Sequence, residues 1–471
     1  MTLIRLKLTY TTLKIIIKGF LHRMSVNKFK QIANTIEARI ASGTYKINSK
    51  LPPHRNLASE FSTTPATISK AYKVLIEKNK IESFIGRGTF VCGNSKLETV
   101  IKAPTDNNDY NFTILQPCLI KNTLQLQNAF NIAFSDIAEE FLGYIENSGH
   151  SSHKDAGMKW AQNFGLDCAD PEDFLLVNGA QNALDILIRT YTKPDDVIAV
   201  EELTYPGILS ITSLLGRKIV EVKIDNFGMC SDDLEEVIKN HQPKMIIVIP
   251  SHQNPTGFTM DKKRRLNIAK VIQNSNAWLV EDDVYGFLNA ETIPAICNSI
   301  PEQSFHITSL SKAISPALRC AYIKSPKNEA RKIGACIRSS IWLASPFNFA
   351  VAAQLINSGV AFEIAQSQKE LAIKRQNFVR KKFSHLQYSC QESSYHIWLT
   401  LPDNWQQEQF VMEANNLKLL VSSGRYFTQR INETNHIRLS LMAISDEKRF
   451  EEGIISLANL LKDEPRATFP F

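Results

Sequence analysis

Thr308-Ser309-Leu310-Ser311-Lys312, followed seven residues later by Arg319, decides how the rest of this 471-residue chain is read. Upstream lie Asn254-Pro255-Thr256-Gly257 and Asp282-Asp283-Val284-Tyr285. Each fragment is commonplace alone: a lysine usually lies on the surface, paired aspartates cap helices, and Asn-Pro makes a turn. Their order carries the information. Short apolar runs at 174–177, 197–200, 245–249 and 278–280 each stand just before a polar motif. From about residue 111 such runs alternate with helical stretches, the pattern of an α/β protein with a mostly parallel sheet. Ligands of open α/β sheets bind beyond the carboxyl ends of strands, so these motifs can converge on one crevice.

The residue types then point to one cofactor. A lysine that forms a Schiff base with pyridoxal phosphate needs an acid for the ring nitrogen, donors for the ring oxygen, and hydroxyls with an arginine for the phosphate. Asp282 is the expected acid, because it leaves Tyr285 three residues on to reach the ring oxygen; Asp283 competes for the role. Asn254, held in a rigid Pro-Thr-Gly turn, is a second donor to that oxygen. Gly179-Ala180-Gln181 opens a helix expected over 182–190, and its backbone N–H groups suit a phosphate. Ser309, Ser311 and Arg319 complete the phosphate site, and Tyr205 can stack on the ring or simply pack.

The first ninety residues have a different character. Phe29, Ile32, Ile36 and Ile40 recur at helical spacing, and Gly43 ends that helix. After Pro52-Pro53 a short helix is expected at 54–60. Thr64 is a plausible cap for a third helix over 65–79 that begins with Pro65. This helix puts Ile68, Ala71, Tyr72 and Leu75 on one face and Thr67, Ser69, Lys70 and Lys73 on the other. Residues 81–91 alternate around Gly86-Arg87-Gly88, which predicts a hairpin. Three helices and a hairpin make a winged helix, whose third helix would enter the major groove of DNA.

Charge agrees with that division. Residues 28–92 hold eleven Lys/Arg against four Glu, and residues 1–27 hold five Lys/Arg and no acid. With a whole-chain charge of +7, residues 93–471 are left at −5. A basic end on an acidic body is the footprint of nucleic-acid binding, although a solvated basic face would look the same. Eight scattered cysteines without a C-x-x-C pair suggest neither a metal nor disulfides, and fit a reducing cytoplasm. The apolar stretch near residue 15 is interrupted by Lys14 and Lys18, so neither a signal peptide nor a membrane span is expected. The expected organisation is a tail or over-extended start at 1–24, a winged helix at 25–92, a turn-rich linker at 93–110 and the large α/β domain at 111–471, with a smaller C-terminal subdomain.

The motifs also resemble known families. Lys50-Leu51-Pro52-Pro53-His54-Arg55, Lys70-Ala71-Tyr72-Lys73-Val74-Leu75 and Gly86-Arg87-Gly88-Thr89-Phe90-Val91 resemble the GntR-type winged helix over its whole length. That resemblance implies Arg55, Thr67 and Arg87 as DNA contacts, with Thr64 and Lys70 beside them. From about 140 to 450, Asn178-Gly179-Ala180-Gln181, Tyr205-Pro206-Gly207, Asn254-Pro255-Thr256-Gly257, Asp282-x-x-Tyr285, Ser309-x-Ser311-Lys312 and His436-Ile437-Arg438-Leu439-Ser440 resemble fold-type I aminotransferases. The resemblance implies that Arg438 grips an α-carboxylate and that Tyr144 reaches the phosphate of the partner subunit in a dimer. A GntR winged helix joined to such a domain is similar to MocR-type regulators.

Three departures bear on function. Pro65 stands where GntR-type domains usually carry arginine, removing a guanine reader. His153-Lys154 replaces the usual Leu-Arg after Tyr144, and no glycine-rich stretch lines the substrate side around 114–119. The expectation is a DNA-binding transcriptional regulator, a homodimer on operator DNA, that binds pyridoxal phosphate through Lys312 and senses an amino-acid or amine effector or the cofactor itself. The alternative is an aminotransferase with an accessory DNA-binding module.

Overall fold

The computed structural model describes residues 28–40, 42–45, 49–77, 80–84, 88–91, 109–135, 143, 144, 146, 148–429 and 435–464. The tail at 1–24, Arg87 at the expected hairpin tip and most of the expected linker lie outside these residues. The described chain forms two compact units, 28–91 and 109–464.

In the first unit, residues 28–40 form a helix (α1), followed by His54–Glu60 (α2) and Pro65–Glu77 (α3). Gly43 follows α1 at φ 77°, a left-handed conformation that glycine adopts without strain. The Thr67 amide donates to Thr64 Oγ1 at 3.3 Å, a cap supplied by a residue type that favours that position. Ile81–Phe84 (β1) and Gly88–Val91 (β2) pair antiparallel, Ile81 opposite Val91. The apolar stripe of α3 packs as its spacing requires: Ile68, Ala71, Tyr72 and Leu75 are buried with Ile32, Ile36, Leu57, Ile81 and Val91. Tyr72 Oη donates to the Pro52 carbonyl at 3.0 Å, so its hydroxyl is not left unpaired in that core.

The second unit is built on a seven-stranded sheet. Its strands are Phe174–Asn178 (β3), Val197–Glu201 (β4), Lys218–Val222 (β5), Met245–Val248 (β6), Trp278–Asp282 (β7), Ser304–Ser309 (β8) and Cys320–Lys324 (β9), in the spatial order β3-β9-β8-β7-β6-β4-β5. All neighbours are parallel except β9, which runs antiparallel to both β8 and β3. These strands are apolar almost throughout because helices cover both faces of such a sheet. Register places the ends of β7 and β8 side by side, with Asp282 opposite Ile307.

A smaller C-terminal sheet joins Tyr388–Ser389 (β10), His396–Thr400 (β11), Ser422–Ser423 (β12) and His436–Ser440 (β13), in the order β10-β11-β13-β12. It has its own core, including Phe410, Ile437, Leu439 and Phe450. Tyr110–Asn111 pairs in parallel with Leu419–Leu420, so the start of this unit is tied to its C-terminal part. No single described helix is long and apolar enough to cross a membrane, and no described cluster of His, Cys, Asp or Glu could hold a metal.

Candidate functional site

Asp282 ends β7, and Lys312 follows β8 by three residues; the strand ends therefore supply both. Lys312 Nζ donates to the Leu115 carbonyl at 2.7 Å. Burial lowers the lysine to about 8, with Arg438 and Arg319 adding to the effect and Asp282 opposing it. Asp282 is only 5% exposed, and its Oδ1 has no hydrogen-bond partner among the described residues. Burial lifts its carboxyl to about 7, with Asp283 adding and Lys312 opposing. Shifted groups of this kind gathered at strand ends mark a candidate site.

Asp283, one residue on, has other company. Its Oδ2 lies 3.8 Å from Arg265, which is also 3.5 Å from the buried Glu281. The Asp283 amide, just past the strand end, still donates to the Ile307 carbonyl at 3.0 Å, and the two adjacent aspartates meet different charges. Tyr285 is buried with its hydroxyl unpartnered among the described residues, and burial raises its pKa. Arg438, on β13, is 3% exposed. Its Nη1 donates to Asn254 Oδ1 at 3.0 Å, and its Nη2 donates to the Thr113 carbonyl and to Ser422 Oγ. The guanidinium lies 5.0 Å from the ring centroid of Phe427, and burial brings it down to about 10.

The other end of the crevice is made of small groups. Gly179 caps helix Ala180–Tyr191 at φ 85°, and a Cβ there would stand 2.3 Å from Arg319 Nη2. Only glycine allows that backbone shape and that close approach together. Arg319 Nη2 donates to the Asn178 carbonyl at 2.8 Å. Ser309 Oγ bonds Ser311 Oγ at 3.0 Å and also accepts from the Ser311 amide. Tyr205 and Gln181 Oε1 both crowd the position a Gly207 side chain would fill, and Gln181 Oε1 has no partner among the described residues. Burial pushes Tyr205 up to about 12.

These residues fit pyridoxal phosphate. Asp282 Oδ1 and Tyr285 Oη are buried polar atoms without partners among the described residues, an acceptor for a ring N–H and a donor for a ring oxygen. Gly179, the helix it caps and Arg319 form a cradle suited to an anion. Tyr144 stands apart: it is 87% exposed, with its ring 5.6 Å from that of Trp342. Lys154 is buried against Glu172 at 2.8 Å, and burial lowers His153 to about 4.

In the first unit, Arg55, Thr64 and Lys70 are exposed and Thr67 is half-buried. Thr64 Oγ1 and Thr67 Oγ1 lie 3.0 Å apart.

Sequence reasoning missed the scaffold under Asn254. Glu201 is fully buried and accepts from Gln253 Nε2 at 3.1 Å; Gln253 Oε1 in turn accepts from the Thr256 amide and hydroxyl. His396 Nε2 lies 3.0 Å from the Gln253 carbonyl. A charged residue ending an apolar strand was the available signal for Glu201. Nothing in the sequence pointed to the Thr113 and Leu115 carbonyls, which are backbone atoms.

Residues 106–457 match the family described as aminotransferase class I and II, and residues 28–91 match bacterial regulatory proteins of the gntR family. The uncharacterized HTH-type transcriptional regulator YdeF of Bacillus subtilis is 29% identical over 439 residues, covering 92% of this chain and 94% of that protein. The probable rhizopine catabolism regulatory protein MocR of Rhizobium meliloti is 25% identical, covering 80% and 79% respectively. Among solved structures, the kynurenine aminotransferase of Pyrococcus horikoshii superposes with a TM-score of 0.70 at 21% identity, over 78% of this chain and 96% of that one.

Proposed function

Given that this chain belongs to the class I and II aminotransferase family and carries an N-terminal gntR-type DNA-binding domain, we propose that its large domain is the sensor of a transcriptional regulator. Its ligand is an amino acid, an amine or the cofactor itself. The cofactor the family implies is pyridoxal phosphate. Lys312 would hold it covalently through Nζ, Asp282 would face its ring nitrogen, and Asn254 and Tyr285 its ring oxygen. Gly179, Ala180, Gln181, Ser309, Ser311 and Arg319 would bind its phosphate, and Tyr205 would lie against the ring. When bound, this cofactor supplies an electron-withdrawing ring joined to an amine. Asp282 keeps a proton on that ring, and Arg438 orients an effector through its carboxylate.

The observation that carries this reading is the placement of Lys312 and Asp282 at and just beyond the ends of adjacent strands, in a chain that also carries a basic gntR-type unit. An effector can change DNA affinity only by binding two arrangements of the protein unequally. We place the protein in the cytoplasm, where its DNA is.

A homodimer is part of the proposal. Helix Thr123–Ser135 leaves Leu124, Phe130, Ile132 and Phe134 exposed, and Tyr144 and Trp342 are exposed as well. Exposed apolar surface of this extent suits an interface, and a second subunit would bring a second winged helix to a separated half-site.

The test is spectroscopic and then functional. Purified protein loaded with pyridoxal phosphate should show a visible absorbance band that Lys312→Ala loses. An amine that perturbs the band should change affinity for the region upstream of the protein's own gene at least several-fold. A colourless wild type would sink the cofactor assignment. The intact set of Lys312, Asp282 and Arg438 favours a second reading, an aminotransferase with an accessory DNA-binding module. Turnover at ordinary enzyme rates, about 1–10³ s⁻¹, with DNA affinity indifferent to the amine, would establish it over the first.

A further inference from the structure

The exposed side of α3 divides into two parts. Pro65, Ala66 and Ser69 are exposed and Thr67 is half-buried; none of them carries charge or an amide. Lys70 and Lys73 supply the cations one turn later. Bidentate recognition of guanine in the major groove uses arginine or lysine, and that of adenine uses asparagine or glutamine. The first turn of α3 has none of these. What it offers is methyl and methylene surface and two hydroxyls.

One of those hydroxyls is already engaged. Thr67 Oγ1 lies 3.0 Å from Thr64 Oγ1, which also accepts from the Thr67 amide in the helix cap. With its hydroxyl held there, Thr67 has its methyl group to offer a base edge, and the exposed Ser69 hydroxyl, which suits any base, adds no selectivity of its own. Neighbouring arginines do not fill the gap. Arg39 is ion-paired with Glu60 and bonded to Tyr45. Arg55, exposed on α2, belongs to a different helix. Apolar groups such as Ala and the Thr methyl match one feature of the major groove, the C5 methyl of thymine.

We propose that the first turn of α3 selects A·T base pairs through thymine methyl groups, with Ala66 and Thr67 as the specificity-determining side chains. This rests on the DNA-binding reading of the first unit and adds the base chemistry that unit recognises. Lys70 and Lys73 hold the helix to the phosphates and contribute affinity without choosing a base. Any guanine in the operator is read from elsewhere in the unit.

The experiment uses full-length protein and a duplex it selects from a random pool. Each thymine is replaced in turn by deoxyuridine, which removes only the C5 methyl. At least one thymine in each half-site should lose affinity about fourfold, the equivalent of withdrawing one buried methyl-sized group. Thr67→Ser keeps the hydroxyl that lies against Thr64 Oγ1 and removes the methyl; Ala66→Gly removes the other. One of these variants should bind the thymine duplex about fourfold more weakly and show no further loss on the deoxyuridine duplex, the signature of a direct pair in a double-mutant cycle. In a repeated selection, Pro65→Arg should bring guanine into positions where the wild type returns A·T. Affinity indifferent to every deoxyuridine, with salt-dependent binding intact, overturns the proposal and leaves DNA binding standing. Absence of any salt-sensitive DNA binding by the wild type overturns the DNA-binding reading itself.

Discussion

The α3 surface and the shell around Lys312 carry their chemistry in opposite ways. On α3, Ala66, Ser69, Lys70 and Lys73 face solvent while Ile68, Ala71, Tyr72 and Leu75 hold the helix down from the other side. The exposed polar groups and the folding contacts are divided between two faces of one helix. Around Lys312 there is no such division. Asp282, Tyr285, Asn254 and Arg438 are buried, and the lysine's proton affinity depends on Asp282, Arg438 and Arg319 together. A substitution on α3 should therefore change one property at a time, whereas a substitution in the shell should change several.

The largest effect is expected where backbone shape and ligand contact coincide. Gly179→Ala forces a side chain onto a left-handed residue and against Arg319. The strained backbone alone should cost about 1–3 kcal/mol. Displacing the guanidinium should also weaken pyridoxal phosphate retention by roughly tenfold or more, the worth of a charge-assisted contact. Dialysis followed by absorbance would measure retention, and thermal melting would measure stability. If only one of the two changed, the shell would be more divisible than the comparison holds.

On α3 a smaller and cleaner effect is expected. Lys70→Ala and Lys73→Ala each remove one cation from the exposed face. Each lost phosphate contact should lower the slope of log affinity against log salt by about 0.9, and surface changes of this kind should leave stability within about 0.5 kcal/mol. Anisotropy titrations across salt concentrations, paired with melting, would check both. A melting shift well beyond that range would show that the two faces of the helix are not independent.

The same contrast explains what could be read from sequence. The apolar period of α3 gives its buried face directly, because a helix with one wet side must repeat at 3.6 residues. The site around Lys312 is legible for another reason. Asn254, Asp282 and Lys312 come at or shortly after the ends of β6, β7 and β8, and a parallel sheet brings such positions together without any local periodicity. The scaffolding is not legible. Glu201 reaches Gln253 across 52 residues, and Leu115 reaches Lys312 across 197, the latter through a carbonyl that every residue type possesses. Tyr144 shows a further limit: the motif around it names a role in a partner subunit, and a single chain places it in solvent.

Glu201 gives the finest test of how tightly the shell is coupled. It sits fully buried at the end of β4, accepting from Gln253 Nε2 and, more weakly, from the Ile249 amide. Burial outweighs these hydrogen bonds and lifts its carboxyl to about 8. An unfolded glutamate titrates near 4.3, so between these values the folded chain holds a proton that the unfolded chain has released. Stability from this group is therefore present at low pH and lost as pH rises toward 8. The buried His252 and His396, lowered to about 3, work in the other direction: they favour folding less as pH falls below about 6.5. Below that point the two histidines outweigh Glu201; above it the slope of Glu201 remains, joined up to about pH 7 by that of Asp282. Melting temperature should fall between pH 6.5 and 8, before the lowered Lys312 begins to oppose it, and Glu201→Gln should flatten that fall. Gln253 holds the turn that presents Asn254, so ionising Glu201 should also shift the visible band of the loaded protein over the same pH range. A shift that persisted unchanged in Glu201→Gln would assign it to Asp282 and Lys312 alone, and the scaffold beneath Asn254 would then be mechanically separate from the charges it supports.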